Sequence, residues 1–204
     1  MSLSFYNSLS HLKEVFTPIN DGKVGLYTCG PTVYNFAHIG NFRCYMFEDL
    51  LKRTLLYFGY DVKHVMNLTD VDDKTIRGSQ STGKPLTEFT RQYKDAFFKD
   101  IETLRIIPAN VYPAATDHIP EMIALIQKLF DLGIAYQAED KSVYFSIAKW
   151  PKYGQLVNID RDQMRTGVRV KMDEYAKDSV ADFALLKAYD EADGDVAWDS
   201  PWGK

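Results

Sequence analysis

From Val24 to Cys29 the run VGLYTC is apolar and is bounded by Gly22 on one side and by Gly30 with Pro31 on the other, which predicts a short buried strand. After a loop lasting to about Gly40, the residues Phe42, Tyr45, Met46, Leu50, Leu51, Leu55 and Phe58 recur at near-helical spacing until Gly59 breaks the run. Val62 to Leu68 then reads as a second strand. Strand, loop, helix and strand in this order predict a βαβ unit with parallel strands, in which ligands bind beyond the carboxyl ends of the strands.

Further along, Asp70 to Thr87 reads as a helix start followed by a break containing Gly and Ser. Leu86, Phe89, Tyr93, Phe97, Ile101 and Leu104 mark an amphipathic helix that must stop before Pro108. Pro108, Pro113 and Pro120 punctuate a connector. Thr116 or Asp117 is suited to cap the next helix, Pro120 and Glu121 to its first turn, and Gly133 to its end, with Ile119, Met122, Ile126, Leu129 and Phe130 on one face. Ile134–Ala138 and Val143–Ile147 flank the polar turn EDKS and predict a hairpin. From Pro151 onward the periodicity fades, as in a loop-rich small domain. A division falls near residue 117, giving an α/β part at 1–117 and a smaller part at 118–204.

Composition adds limits. The 204 residues are 46% apolar and 25% charged, a profile that excludes disordered and fibrous classes. No apolar run approaches the roughly 18 to 20 residues of a membrane helix, and the opening MSLSFYNSLSHLKEVF lacks the zones of a signal peptide. Two cysteines, Cys29 and Cys44, without CxxC spacing, form no disulfide framework, and a cytoplasmic protein with reduced thiols and no membrane partner is expected. The net charge of −4 arises after residue 117, and no basic stripe advertises nonspecific nucleic-acid binding.

Candidate chemistry gathers in two places. In YTCGPTVYNFAHIGN, Tyr27–Asn41, a strand end delivers Cys29, and His38, Gly40 and Asn41 sit at a helix entry, where free N–H groups hold phosphate. The same residues also fit a glycine-proline turn with a cap and a buried histidine, and Cys29 by itself also fits a small buried hydrophobe. In NLTDVDDK, Asn67–Lys74, the aspartates and threonine suit three roles: helix capping, Mg²⁺ ligation, or polar contacts to a substrate amine and ribose.

Together with the terminal DFALLK and WDSPWGK, these two runs resemble bacterial cysteinyl-tRNA synthetases, members of class I, in register over all 204 residues. His38, Ile39, Gly40 and Asn41 match the class I HIGH signature, with asparagine at the place of its last histidine. The resemblance implies an α/β fold: the first half of a Rossmann-like parallel sheet in 1–117, then a smaller α+β connective insertion in 118–204. It implies activation of L-cysteine by ATP with Mg²⁺ to cysteinyl adenylate, then transfer to tRNA(Cys). His38 and Asn41 would be catalytic, and Thr32, His38, Gly40, Asn41 and Lys74 would bind ATP. Gly30, Asn67 and Thr69 would meet the substrate cysteine, and Cys29 would be one ligand of a Zn²⁺ whose other ligands lie past Lys204. Cys44 would be a core residue without a metal role.

The two tryptophans in WDSPWGK imply a polypeptide that continues in a longer protein, and the 204 residues alone are expected not to charge tRNA. Rival readings are a ligase passing activated cysteine to the amine of a small sugar, a non-catalytic nucleotide- or partner-binding module, and a nucleotidyltransferase sharing only the H-x-G-x helix entry.

Overall fold

The structure, a computed structural model, describes residues 2–156 and 182–204. The stretch 157–181 of the predicted loop-rich segment lies outside the described residues. The chain divides into two compact units, one containing Phe16–Ile119 and Ala192–Val196, the other Ser4–Val15, Pro120–Glu191 and Ala197–Lys204.

The chain opens with an antiparallel hairpin, β1 (Ser4–Asn7) and β2 (Leu12–Val15). His11 takes the left-handed backbone at φ 58°, and its amide donates to the Asn7 carbonyl at 2.8 Å, which closes the turn. Strands of only four residues, β1 mostly half-buried and β2 exposed, leave no alternation for the sequence pattern to register.

In the first unit, β3 (Lys23–Thr28) leads into α1 (Ile39–Tyr57) and back to β4 (Asp61–Met66), parallel to β3 with Val24 opposite Val62 and Thr28 opposite Met66. The expected βαβ unit is present, and the register brings both strands to the same carboxyl edge. The proline-punctuated connector is not a free loop: its backbone runs alongside β4. Met66 and Leu68 amides donate to the carbonyls of Val111 and Pro113, and the Ala115 amide donates to Leu68. A proline is tolerated at such an edge because its carbonyl still accepts.

The apolar pattern of α1 serves two sides. Phe42, Tyr45 and Leu55 are buried together with Glu48 and Lys52, while Met46, Phe47 and Leu50 are half or more exposed. Most of the polar groups buried under this helix are paired, Glu48 Oε2 and His64 Nδ1 excepted. Cys44 Sγ donates to Glu48 Oε1 at 3.3 Å, Lys52 Nζ donates to the Pro108 carbonyl at 2.7 Å, and Thr28 Oγ1 and His64 Nε2 lie 2.9 Å apart. Cys44 is therefore not a core residue: it is exposed, held at the helix surface by its bond to Glu48.

Gly83, at φ 65°, ends α2 (Asp73–Thr82), and Pro85 then opens α3 (Leu86–Thr103). Phe42, Tyr45, Met66, Leu68, Phe97, Ile101, Ile106 and Ala114 form the core between these elements. The Tyr45 and Phe97 rings meet edge to face at 5.4 Å.

A single 3-10 turn, Ala115–His118, precedes α4 (Ile119–Asp131). Thr116 and Asp117 lie inside this turn rather than capping α4, since the Thr116 hydroxyl is spent on Asp70 at 2.8 Å. In the second unit the expected hairpin appears as β5 (Ala135–Gln137) and β6 (Val143–Phe145), extended by β7 (Phe183–Leu186) into an antiparallel sheet of order β5-β6-β7. Trp202 packs against the cluster of Ile126, Ala135 and Val143 and stacks on Phe130 at 5.7 Å.

Candidate functional site

The loops leaving β3 and β4 are stitched to each other. The Gly30 amide donates to Asn67 Oδ1 at 3.2 Å, the Thr69 amide to the Pro31 carbonyl at 3.0 Å, and the Val33 amide to the Thr69 carbonyl at 3.0 Å. Asn67 Nδ2 donates in turn to Thr69 Oγ1 at 3.2 Å. The role of glycine at position 30 follows from this closeness. A Cβ there would stand 1.9 Å from the Asn67 carbonyl oxygen, so no larger residue fits without parting the loops.

His38 and Asn41 form a reciprocal cap on α1. The Gly40 amide donates to His38 Nδ1 at 3.0 Å, and the His38 amide donates to Asn41 Oδ1 at 3.0 Å. Nδ1 is consumed as an acceptor, so the neutral ring carries its proton on Nε2; Asn41, with its oxygen engaged, has its amide nitrogen left to donate. Gly40 is small because of the same cap, since a Cβ would meet the His38 ring at 2.9 Å.

These groups border a cavity of about 310 Å³. Gly30, Thr32, His38, Asn41 and Lys74 line it, whereas Cys29, Gly40, Asn67 and Thr69 do not; Asn67 and Thr69 brace its wall through the bonds to Gly30, Pro31 and Val33. Tyr45 closes the floor, and burial pushes its phenol up to about 12, so it stays a neutral donor. Tyr34, Phe36 and Tyr93 add an aromatic wall that the sequence reading passed over, although YNF directly precedes AH in the loop. Phe36 meets Tyr93 edge to face at 5.1 Å, and Lys74 Nζ sits 4.7 Å from the centre of the Tyr34 ring, a cation–π distance.

Among the aspartates of NLTDVDDK, Asp72 caps α2, accepting from the Lys74 and Thr75 amides at 2.9 and 2.8 Å. Asp70 does something else: its buried carboxylate meets Lys94 Nζ at 2.6 Å and both the amide and the hydroxyl of Thr116. Burial pushes this carboxyl up, but the hydrogen bonds from Lys94 and Thr116 outweigh it and hold it below the usual range.

Among the described residues no group of three or more His, Cys, Asp or Glu side chains is placed to hold a metal ion. Cys29 is exposed at the end of β3, a single sulfur donor where zinc needs three or four protein ligands. The described residues thus do not build a zinc site by themselves. No helix among them is long and apolar enough to cross a membrane.

Residues 15–204 match the family model described as tRNA synthetases class I (C) catalytic domain. The chain is 56% identical over 205 aligned positions to the cysteine–tRNA ligase of Chlamydia muridarum and 58% identical over 202 to that of Brachyspira hyodysenteriae. It covers 43% and 42% of those proteins, so it spans less than half of their length. Among solved structures, the Agrobacterium radiobacter K84 agnB2 LeuRS, in a ternary complex titled LeuRS-tRNA-LeuAMS, superposes with a TM-score of 0.51 at 23% identity. That match takes in 63% of this chain and 17% of the other, and shows a shared fold. With that family model matched over residues 15–204, nearly the whole length, the chain belongs to the class I (C) tRNA synthetase catalytic-domain family.

Proposed function

We propose that this chain supplies the ATP- and cysteine-facing loops of a cysteine–tRNA ligase, in a protein of its relatives' length. The observation that carries this is the reciprocal cap, which uses the acceptor atoms of His38 and Asn41 and leaves His38 Nε2–H and the Asn41 amide as donors. Residues 1–117 are read as the first half of a Rossmann-type catalytic domain and 118–204 as its connective insertion and the start of the return.

In the proposed reaction the carboxylate of L-cysteine attacks the α-phosphorus of ATP. The bond to the bridging oxygen breaks, and pyrophosphate leaves with its electron pair. Charge grows on phosphate oxygens, where His38, Asn41 and the amino end of α1 stabilise it, a contribution of orientation and electrostatics rather than covalent chemistry. Lys74, which also lines the cavity, adds a cation, and Thr32 adds a hydroxyl. Gly30 faces the amino acid, and Asn67 and Thr69 hold the loop that presents it. The acyl group then passes to a terminal ribose hydroxyl of tRNA(Cys), and AMP departs. Mg²⁺ accompanies the ATP phosphates. Cys29 enters as one sulfur ligand to zinc, with the remaining ligands outside the described residues, and no step here depends on that ion.

The test is cysteine-dependent ATP–pyrophosphate exchange by the full-length protein, followed by charging of tRNA(Cys). Exchange with cysteine but not with serine, then cysteinylation of tRNA, is the expected result. Exchange driven by another amino acid, or cysteine passed only to a small amine, would overturn it.

A further inference from the structure

We propose that Asp70 is a positioning residue for the amino-acid side of the site, acting through Thr69; this rests on the reading of the cavity as an adenylate-forming site. Three aspartates follow β4: Asp72 caps α2, Asp73 stands in the first turn of that helix, and Asp70 belongs to neither role. Asp70 is 3% exposed and lies outside α2, and its partners come from α3 and from the 3-10 turn at Ala115–His118. Both of its oxygens are taken from two directions: Oδ2 by Lys94 Nζ on α3 at 2.6 Å and by the Thr116 hydroxyl at 2.8 Å, Oδ1 by the Thr116 amide at 3.0 Å.

Burying a charge is costly, and an apolar residue would fill the space at lower cost. What three donors on one carboxylate add is a fixed direction. The residue so fixed directly follows Thr69, whose amide and carbonyl hold Pro31 and Val33 and whose hydroxyl accepts from Asn67. The clamp therefore ties the wall of the cavity to α3 and to the segment beside β4. The cap of His38 and Asn41 on α1 shares none of these bonds. Loosening Asp70 is expected to disturb the amino-acid side most, reaching the phosphate side only through Thr32, between Pro31 and Val33.

The experiment uses the full-length protein with Asp70→Asn and, because a buried lysine left without its partner can prevent folding, also Thr116→Val, which removes only one hydroxyl. Two readouts are taken: steady-state pyrophosphate exchange, and amide hydrogen exchange at residues 31–33 and 67–70. For Asp70→Asn, KM for cysteine is expected to rise about tenfold with KM for ATP within about twofold. Thr116→Val shifts in the same direction by less. Amide exchange at Val33 and Thr69 speeds up in both variants. Unchanged KM for cysteine and unchanged amide exchange overturn the proposal. So does a parallel rise of both KM values with a lowered melting temperature, the mark of a structural role alone. If the unmodified protein shows no cysteine-dependent exchange, the reading of the site has failed, and faster exchange at Val33 and Thr69 still decides whether Asp70 holds this loop.

Discussion

His38 and Asn41 hold each other at the start of α1, the ring nitrogen of the first accepting from the Gly40 amide and the side-chain oxygen of the second accepting from the His38 amide, each at 3.0 Å. The pair thus serves two ends at once. Its acceptors order the helix entry, and its donors point the chemistry. Replacing either residue by alanine removes both services, which makes an alanine scan ambiguous here.

Asn41→Asp separates them. The carboxylate keeps an oxygen for the His38 amide and adds negative charge at a helix amino end, so stability in urea is expected to stay within about 0.5 kcal/mol or rise slightly. The donor is replaced by an anion facing phosphate. Pyrophosphate exchange in the full-length protein is expected to fall by about 10²-fold or more, as for loss of a charge-stabilising donor, and further than for Asn41→Ala. Full exchange activity in Asn41→Asp beside a clear loss in Asn41→Ala would show that Asn41 acts only as a cap.

Gly30 gives a test of the loop stitching that needs no activity assay. The Cβ of Gly30→Ala would lie 1.9 Å from the Asn67 carbonyl oxygen, a clash with backbone that no rotamer relieves. The expected cost is about 3 kcal/mol in urea unfolding of the chain, at the upper end of overpacking effects. Gly25→Ala, in the strand that precedes this loop, meets nothing within 4 Å and is expected to be neutral or slightly stabilising. If the two substitutions cost the same, the loops are not as closely joined as the structure has them.

What the sequence made legible were the features set by local pattern. The parallel pair, the helix entry at His38 and the helices after Asp70 and Pro85 follow from apolar runs, glycines and prolines that act within a few residues. The features it hid depend on distant partners. Nothing near Asp70 announces Lys94 or Thr116, and nothing in FALL announces its place beside Val143–Phe145. Cys44 shows the limit most sharply: its helical neighbours Met46, Phe47 and Leu50 suggest burial, yet α1 turns Glu48 and Lys52 inward instead because Thr28 and Pro108 supply polar partners. The resemblance implies Lys74 as an ATP contact, but that Tyr34 receives its ammonium group depends on a turn whose geometry no short motif encodes.

The buried polar layer under α1 predicts a pH dependence with two opposing parts. Burial, then the nearby Lys52 charge, lowers His64 below its ordinary value of 6.5. The folded site refuses a proton that the unfolded chain accepts, so stability falls as pH drops below 6.5. Burial raises Glu48 above 4.5 despite hydrogen bonds from Cys44 and Thr28. The stability it contributes is present below 4.5 and is lost as pH rises through the raised value. Glu48→Gln is therefore expected to stabilise the chain at neutral pH, with the gain over the unmodified chain vanishing below pH 4.5 and the decline below 6.5 retained. Urea midpoints measured across this range check both signs, and a gain that grows on acidification would show the wrong sign for Glu48.

Tyr34 holds the Lys74 ammonium 4.7 Å from its ring centre within the same cavity as His38 and Asn41. An aromatic face restrains a cation for about 0.5–1 kcal/mol at an exposed site, enough to narrow where it searches for phosphate. Tyr34→Phe keeps the face and is expected to leave KM for ATP unchanged, while Tyr34→Leu raises it about three- to fivefold, the same free energy read as binding. Equal effects of phenylalanine and leucine would mean that the hydroxyl or simple bulk is what matters at this position.

The outer side of α1 leads to the last expectation. Met46, Phe47 and Leu50 are 51%, 67% and 60% exposed along one stretch of helix, and Tyr27 on β3 is 65% exposed. Among the described residues β3 pairs with β4 alone, so its other edge offers backbone donors and acceptors from Val24 to Thr28. An apolar helix surface and an open parallel edge in one unit favour association of the isolated 204-residue chain with copies of itself. Sedimentation velocity is expected to show concentration-dependent oligomers. The double substitution Phe47→Glu and Leu50→Lys should shift the chain toward monomer, at a stability cost under about 0.5 kcal/mol, since neither side chain is buried. A sharp monomer for the unmodified chain at high concentration would show that these side chains are tolerated in water and that the edge of β3 does not recruit another strand.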